Sequence, residues 1–130
     1  MKRTTRIALG AVATGLAGAL VLPATGAAQA GPSGEVLFKQ RCQACHTIVA
    51  GKTAPVGPNL YGVVNRKAAA SPTPFNYSPA LRKSGLTWNR ASLDTYLTAP
   101  MKLVPGTRMV IALPDAKLRA AVIDYLARAK

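Results

Sequence analysis

The 130-residue chain carries 17 Lys and Arg against four acids, a formal charge of +13 at pH 7, with two cysteines and one histidine. That inventory lacks a second Cys/His pair, which excludes a four-ligand structural zinc site, and the length allows one small domain rather than several. The basic excess speaks for acidic partners and says nothing about fold.

The first 30 residues differ in kind from the rest. Lys2, Arg3 and Arg6 precede an apolar run from Ile7 to Leu22, which is followed by Pro23 and Ala28-Gln29-Ala30. The run is short of the ~20 apolar residues that span a bilayer, and the Ala-x-Ala ending offers a cleavage site. Residues 1–30 are therefore expected to be a cleaved export signal that delivers a domain of residues 31–130 to the bacterial periplasm, with no membrane span. Three cations leave with the signal, and 14 Lys and Arg remain against four acids. Nucleic acid is not an expected partner, because the exported domain carries no binding motif.

In chain order, Ser33 to Arg41 is the first predicted helix. Ser33 supplies the N-cap, and Gly34, Leu37, Phe38 and Arg41 share a face at i, i+3, i+4, i+7. Thr47 to Val56 reads as loop, and Gly57-Pro58-Asn59-Leu60 as a turn. Residues 68–80 contain Pro72, Pro74 and Pro79 and are expected to wrap inward on Phe75 and Tyr77. Ser78-Pro79 opens a short helix that Gly85 stops. Thr87 to Ala99 is predicted as the next helix, closed by Pro100, with Trp88, Leu93, Tyr96 and Leu97 as its apolar stripe. Met101 to Pro114 reads as an irregular strap. Asp115 caps the last helix, where Leu118, Val122, Tyr125 and Leu126 recur on one face. No strand pattern competes, so the expected class is all-α, three main helices plus loops.

Both cysteines and the histidine lie within Cys42-Gln43-Ala44-Cys45-His46. Cys-x-x-Cys-His reads as covalent attachment of one haem c. Each thiol can add across a haem vinyl group to make a thioether, and the adjacent imidazole then falls under the iron. The competing readings are weaker. A disulfide, the usual fate of a lone pair outside the cytoplasm, leaves the adjacent histidine unexplained, and a redox dithiol of the thioredoxin kind wants a strand–helix setting that is absent.

With these residues in place, residues 33–130 resemble the class I c-type cytochromes, the small mono-haem electron carriers. Gly34 and Phe38 resemble that family's contact between its first and last helices, here with Tyr125 and Leu126. Gly57-Pro58-Asn59-Leu60 resembles its proline turn, which implies that the Pro58 carbonyl accepts the His46 ring N–H. The resemblance also implies that Arg66, Tyr77 and Trp88 surround the haem propionates and that Tyr96 lies beside the thioether ligand. Pro105-Gly106-Thr107-Arg108-Met109 resembles the ligand strap, which makes Met109 the sixth ligand and puts Thr107 in the haem environment. Soft thioether sulfur suits this role, since it favours Fe(II) and raises the potential. Met101, the other methionine beyond the signal, follows Pro100 at a helix exit and is the weaker candidate. The chain departs from the pattern at Ile111, where the family usually has an aromatic residue, and at Leu81, where it often has an amide.

The function implied is single-electron transfer by a monomer with no catalytic residues. Its partners would be acidic redox proteins that dock transiently on Lys39, Arg41, Lys52, Arg82, Lys83, Lys102 and Arg108. The alternatives are a dedicated haem subunit of a periplasmic dehydrogenase or oxidase, and a haem enzyme or ligand sensor with a labile sixth ligand.

Overall fold

A computed structural model describes residues 31–130; the export signal expected over residues 1–30 lies outside the described residues. Helix α1 spans Gly34–Arg41, and the Ser33 hydroxyl accepts the Val36 N–H at 3.3 Å. Helix α5 spans Ala116–Arg128, and the Asp115 carboxylate accepts from the Lys117 and Leu118 N–H groups at 2.8 and 3.0 Å. These two helices cross where α1 has no side chain: a Cβ on Gly34 would lie 2.8 Å from Tyr125 Cβ and strike the Ala121 carbonyl. Phe38 completes the crossing, its ring centroid 5.7 Å from that of Tyr125.

Helix α2 (Pro79–Lys83) starts at its expected Ser-Pro cap, the Ser78 hydroxyl accepting the Leu81 N–H at 3.2 Å. The next two segments depart from the sequence expectation. Helix α3 spans Arg90–Thr98 and begins three residues later than predicted, because Asn89 rather than a residue near Thr87 caps it, accepting the Ser92 N–H at 2.8 Å. Residues 86–88 are instead extended and pair antiparallel with 65–68: Ala68 N–H donates to Leu86 O, Trp88 N–H to Arg66 O, and Asn65 N–H to Trp88 O, all at 2.8 Å. Trp88 therefore projects from this isolated antiparallel bridge and not from a helix. Pro100 ends α3 as expected but also opens one further helical turn, α4 (Pro100–Leu103), inside what reads from sequence as irregular strap. Proline is compatible with that position because a first-turn N–H has no partner to lose.

The expected all-α class is found, with α1, α3 and α5 as the main helices and no strand among the described residues. Their buried stripes meet in one core: Leu37 and Phe38 from α1, Leu93, Tyr96 and Leu97 from α3, and Val122, Ile123 and Leu126 from α5. No described helix is long and apolar enough to cross a membrane.

Candidate functional site

The Cys-x-x-Cys-His motif is a turn coiled directly off the end of α1. Cys42 N–H still bonds back to Phe38 O at 2.8 Å, and then Cys45 N–H and His46 N–H both donate to Cys42 O at 3.0 and 2.9 Å. Both cysteines are free thiols and half-buried. Burial, with the neighbouring Cys45 thiol, pushes the Cys42 thiol up to about 11. The imidazole of His46 is fixed from behind: its Nδ1–H donates to the Pro58 carbonyl at 2.8 Å. A carbonyl can only accept, so the proton sits on Nδ1 and the Nε2 lone pair is left free for a ligand bond. Burial holds this imidazole below the usual histidine range, only partly opposed by the Pro58 bond, so the ring is neutral at pH 7. Gly57 makes the arrangement possible, since a Cβ there would lie 2.6 Å from His46 Nδ1 and 2.9 Å from Nε2.

The turn that presents Pro58 is held by Asn59, a fully buried residue whose importance the sequence reading did not single out. Its amide donates to Val49 O and Lys52 O at 2.7 Å each, and its Oδ1 accepts the Tyr61 N–H at 2.7 Å. Arg66 adds to the same knot, donating to Tyr61 O and Asn59 O at 2.8 Å each. Burial lowers the guanidinium pKa from its ordinary value. Each buried carbonyl deprived of such a donor would cost roughly 1–3 kcal/mol, so the turn behind His46 is strongly specified. An Asn immediately after Gly-Pro is the one sequence signal that could have revealed it.

Across the chain, the 107–113 strap is tied to α3. The Tyr96 hydroxyl and Thr107 Oγ1 lie 2.6 Å apart, and Met109 N–H donates to the same Thr107 oxygen at 3.4 Å. Burial raises the Tyr96 phenol above its ordinary value, and the Thr107 bond opposes the shift. The rings of Trp88 and Tyr96 pack at 4.8 Å.

The motif, the Pro58 turn and the strap open onto one cavity of about 330 Å³. Its walls bring together Cys42, Cys45, His46 and Met109, together with Pro58, Arg66, Tyr77, Trp88, Tyr96 and Thr107. Phe75, half-buried and packed edge-on against Tyr77 at 4.8 Å, is there too. Met101 is not; it is 54% exposed on α4. Haem fits this donor set. Two thiols suit two vinyl groups, a neutral imidazole with a free Nε2 suits iron, and a thioether sulfur suits the same metal. The rest of the lining is mostly apolar, as a porphyrin face requires.

Of the proposed docking cations, Arg41 and Arg108 line the cavity, as does Lys67, which the sequence reading passed over. The others lie away from its lining. Lys39 is ion-paired to Glu35 at 2.7 Å, and Arg82 and Arg108 both bond to Asn76, at its Oδ1 (2.7 Å) and its carbonyl (2.9 Å) respectively.

Residues 32–130 match the cytochrome c family. The chain is 46% identical over 111 residues to cytochrome c2 of Rhodomicrobium vannielii, covering 84% of this chain and 87% of that protein. It is 45% identical over 95 residues to cytochrome c type-1 of Ascaris suum, covering 72% and 83%. Its fold is similar to that of cytochrome cH from Methylobacterium extorquens, with a TM-score of 0.66 and 44% identity over 72% of this chain and 92% of that one. Fold, motif and cavity agree with these matches, and the chain belongs to the cytochrome c family, whose members carry covalently bound haem c.

Proposed function

We propose that this protein is an exported, monomeric electron carrier of the periplasm, with haem c tethered through Cys42 and Cys45 and its iron ligated by His46 and Met109. The observation that carries the reading is that one cavity gathers the motif's two thiols and imidazole with a single thioether. Bound haem supplies a reversible one-electron Fe(III)/Fe(II) couple. The chain's own residues set its terms. Pro58 fixes the tautomer and raises the basicity of His46, and Met109, which lines the same cavity, would hold the bound iron as its second protein ligand and leave no site open to substrate. Tyr96 and Thr107 hold the strap that carries Met109. Arg66 has N–H groups beyond those used on Tyr61 and Asn59, and these suit a propionate, because a buried carboxylate needs a partner. A redox titration of the holoprotein followed by its visible spectrum should fit a single one-electron Nernst curve, fully reversible. Irreversible or multi-electron behaviour would contradict the reading.

The charge distribution supports an acidic partner. Every acid of the described domain is already engaged: Glu35 with Lys39, Asp94 with Arg119, Asp124 with Arg90, and Asp115 as a helix cap. The remaining cations are uncompensated. Val56, Val110 and Ile111 are exposed and also line the cavity, beside Arg41 and Arg108, and so form a small apolar mouth with a basic edge. Such a surface suits a brief, steered encounter. Electron exchange with the physiological partner should slow by roughly 10-fold or more between low and physiological ionic strength, since steering is screened over about 8 Å. A permanently docked subunit, which the exposed apolar mouth would also suit, would show salt-independent rates and co-purify with its partner.

A further inference from the structure

Arg119 is a buried cation that nothing above uses for electron transfer. It is 7% exposed and stands on the core stripe of α5, with Val122, Ile123 and Leu126 at i+3, i+4 and i+7. Its donors fan out to two elements. Nε donates to Asp94 Oδ1 at 2.7 Å and Nη2 to Asp94 Oδ2 at 3.4 Å, both on α3, while Nη1 donates to the carbonyls of Leu113 and Pro114 at 2.9 and 2.8 Å. Those two carbonyls end the strap that carries Met109, and Leu113 N–H is also bonded to Leu97 O of α3 at 2.7 Å. The strap thus hangs between two moorings: Thr107 on Tyr96 of α3 at one end, and Leu113-Pro114 on Leu97 of α3 and on Arg119 of α5, itself paired to Asp94 of α3, at the other. Between them, residues 110–112 make no hydrogen bond to any described residue, and Val110 and Ile111 are 68% and 49% exposed.

We infer that Arg119, oriented by Asp94, is a positioning residue for Met109: by mooring the far end of the strap it sets how often the thioether leaves the cavity. This rests on Met109 as the sixth ligand. A planar guanidinium that holds two adjacent carbonyls while a carboxylate pins its other edge is a rigid fixture, and residues 108–112, whose backbone is held only at its two ends, would all gain freedom on its loss, Met109 among them although its N–H stays on Thr107. Removing it leaves two strap carbonyls without their donor, and the strap-off population must rise.

The test is the apparent affinity of the oxidised holoprotein for added imidazole, which competes for the position that the sulfur vacates. Arg119→Met should raise that affinity about tenfold or more, the shift expected from losing charge-assisted bonds at one mooring. Asp94→Asn, which keeps a hydrogen-bond acceptor at a half-exposed side chain, is the milder change; it should raise the affinity less, and it decides the matter should Arg119→Met fail to fold. Asp124→Asn is the control. It breaks the Arg90–Asp124 ion pair, another α3–α5 tie, which does not touch the strap, and it should lower the melting temperature without changing imidazole affinity. Unchanged affinity in Asp94→Asn and Arg119→Met, or an equal rise in Asp124→Asn, would overturn the inference while leaving the ligand assignment intact. An oxidised wild type without iron–sulfur charge-transfer absorption would instead overturn the ligand assignment and the inference with it.

Discussion

A Met109→Ala variant should lose the weak iron–sulfur charge-transfer absorption expected of the oxidised protein, and its midpoint potential should fall by about 0.1–0.3 V, a fraction of the ~0.8 V that axial ligation commands. The direction follows from the ligand. A thioether is soft and neutral and stabilises Fe(II) more than Fe(III), so replacing it with water or any harder donor favours the oxidised state. The same substitution removes little from the protein itself: Met109 is half-buried, its N–H bond to Thr107 belongs to the backbone, and Thr107 stays tied to Tyr96. Helix content should therefore be nearly unchanged while the potential moves. Met101→Ala serves as the counterpart. That side chain is exposed on α4 and absent from the cavity lining, so its removal should alter neither spectrum nor potential. If Met101→Ala produced the loss, the ligand assignment would be wrong.

The largest effect on folding is expected from the double variant Cys42→Ala, Cys45→Ala, which should lose most of its helical circular dichroism at room temperature. The domain has about 100 residues, and its core helices face a cavity of about 330 Å³. Extrapolating the ~24 cal/mol per Å³ observed for core cavities, an unfilled space of that size costs about 8 kcal/mol, as much as the ~5–15 kcal/mol by which whole domains are stable. Tethering matters because Leu93, Leu97, Val122 and Leu126 each contribute both to the helix packing and to the cavity wall. The same side chains therefore need the prosthetic group as a packing partner. A helical, cooperatively melting double variant would show that the polypeptide closes its core unaided.

Much of this was legible from sequence wherever the determinant is local. The Ser33, Ser78 and Asp115 caps each act within three residues, and α1, α2 and α5 begin where those caps predict. The Cys-x-x-Cys-His turn is likewise contained in five positions. What escaped was decided at a distance. Trp88 fits a helical stripe by spacing, yet residues 86–88 are taken by backbone pairing with 65–68, some twenty positions earlier. Asn59 gains its role from carbonyls at 49 and 52 that only the folded loop brings near. Arg119 did leave a trace, as a cation at a core position of an otherwise apolar stripe, but its partners Asp94 and the Leu113-Pro114 carbonyls could not be paired with it before the strap was seen to fold back on α3. Helix α4 is hidden for a simpler reason: Pro100 signals the end of one helix and is also the start of another.

We propose that His46 and Met109 both hold the haem iron, which would make the protein a carrier and not a haem enzyme or gas sensor. Exposure of the reduced holoprotein to carbon monoxide at neutral pH tests it most directly. The visible spectrum should stay unchanged over the time in which the Met109→Ala variant binds the gas completely; rapid formation of a carbon monoxide spectrum in the wild type would show that the sixth position is open and contradict it.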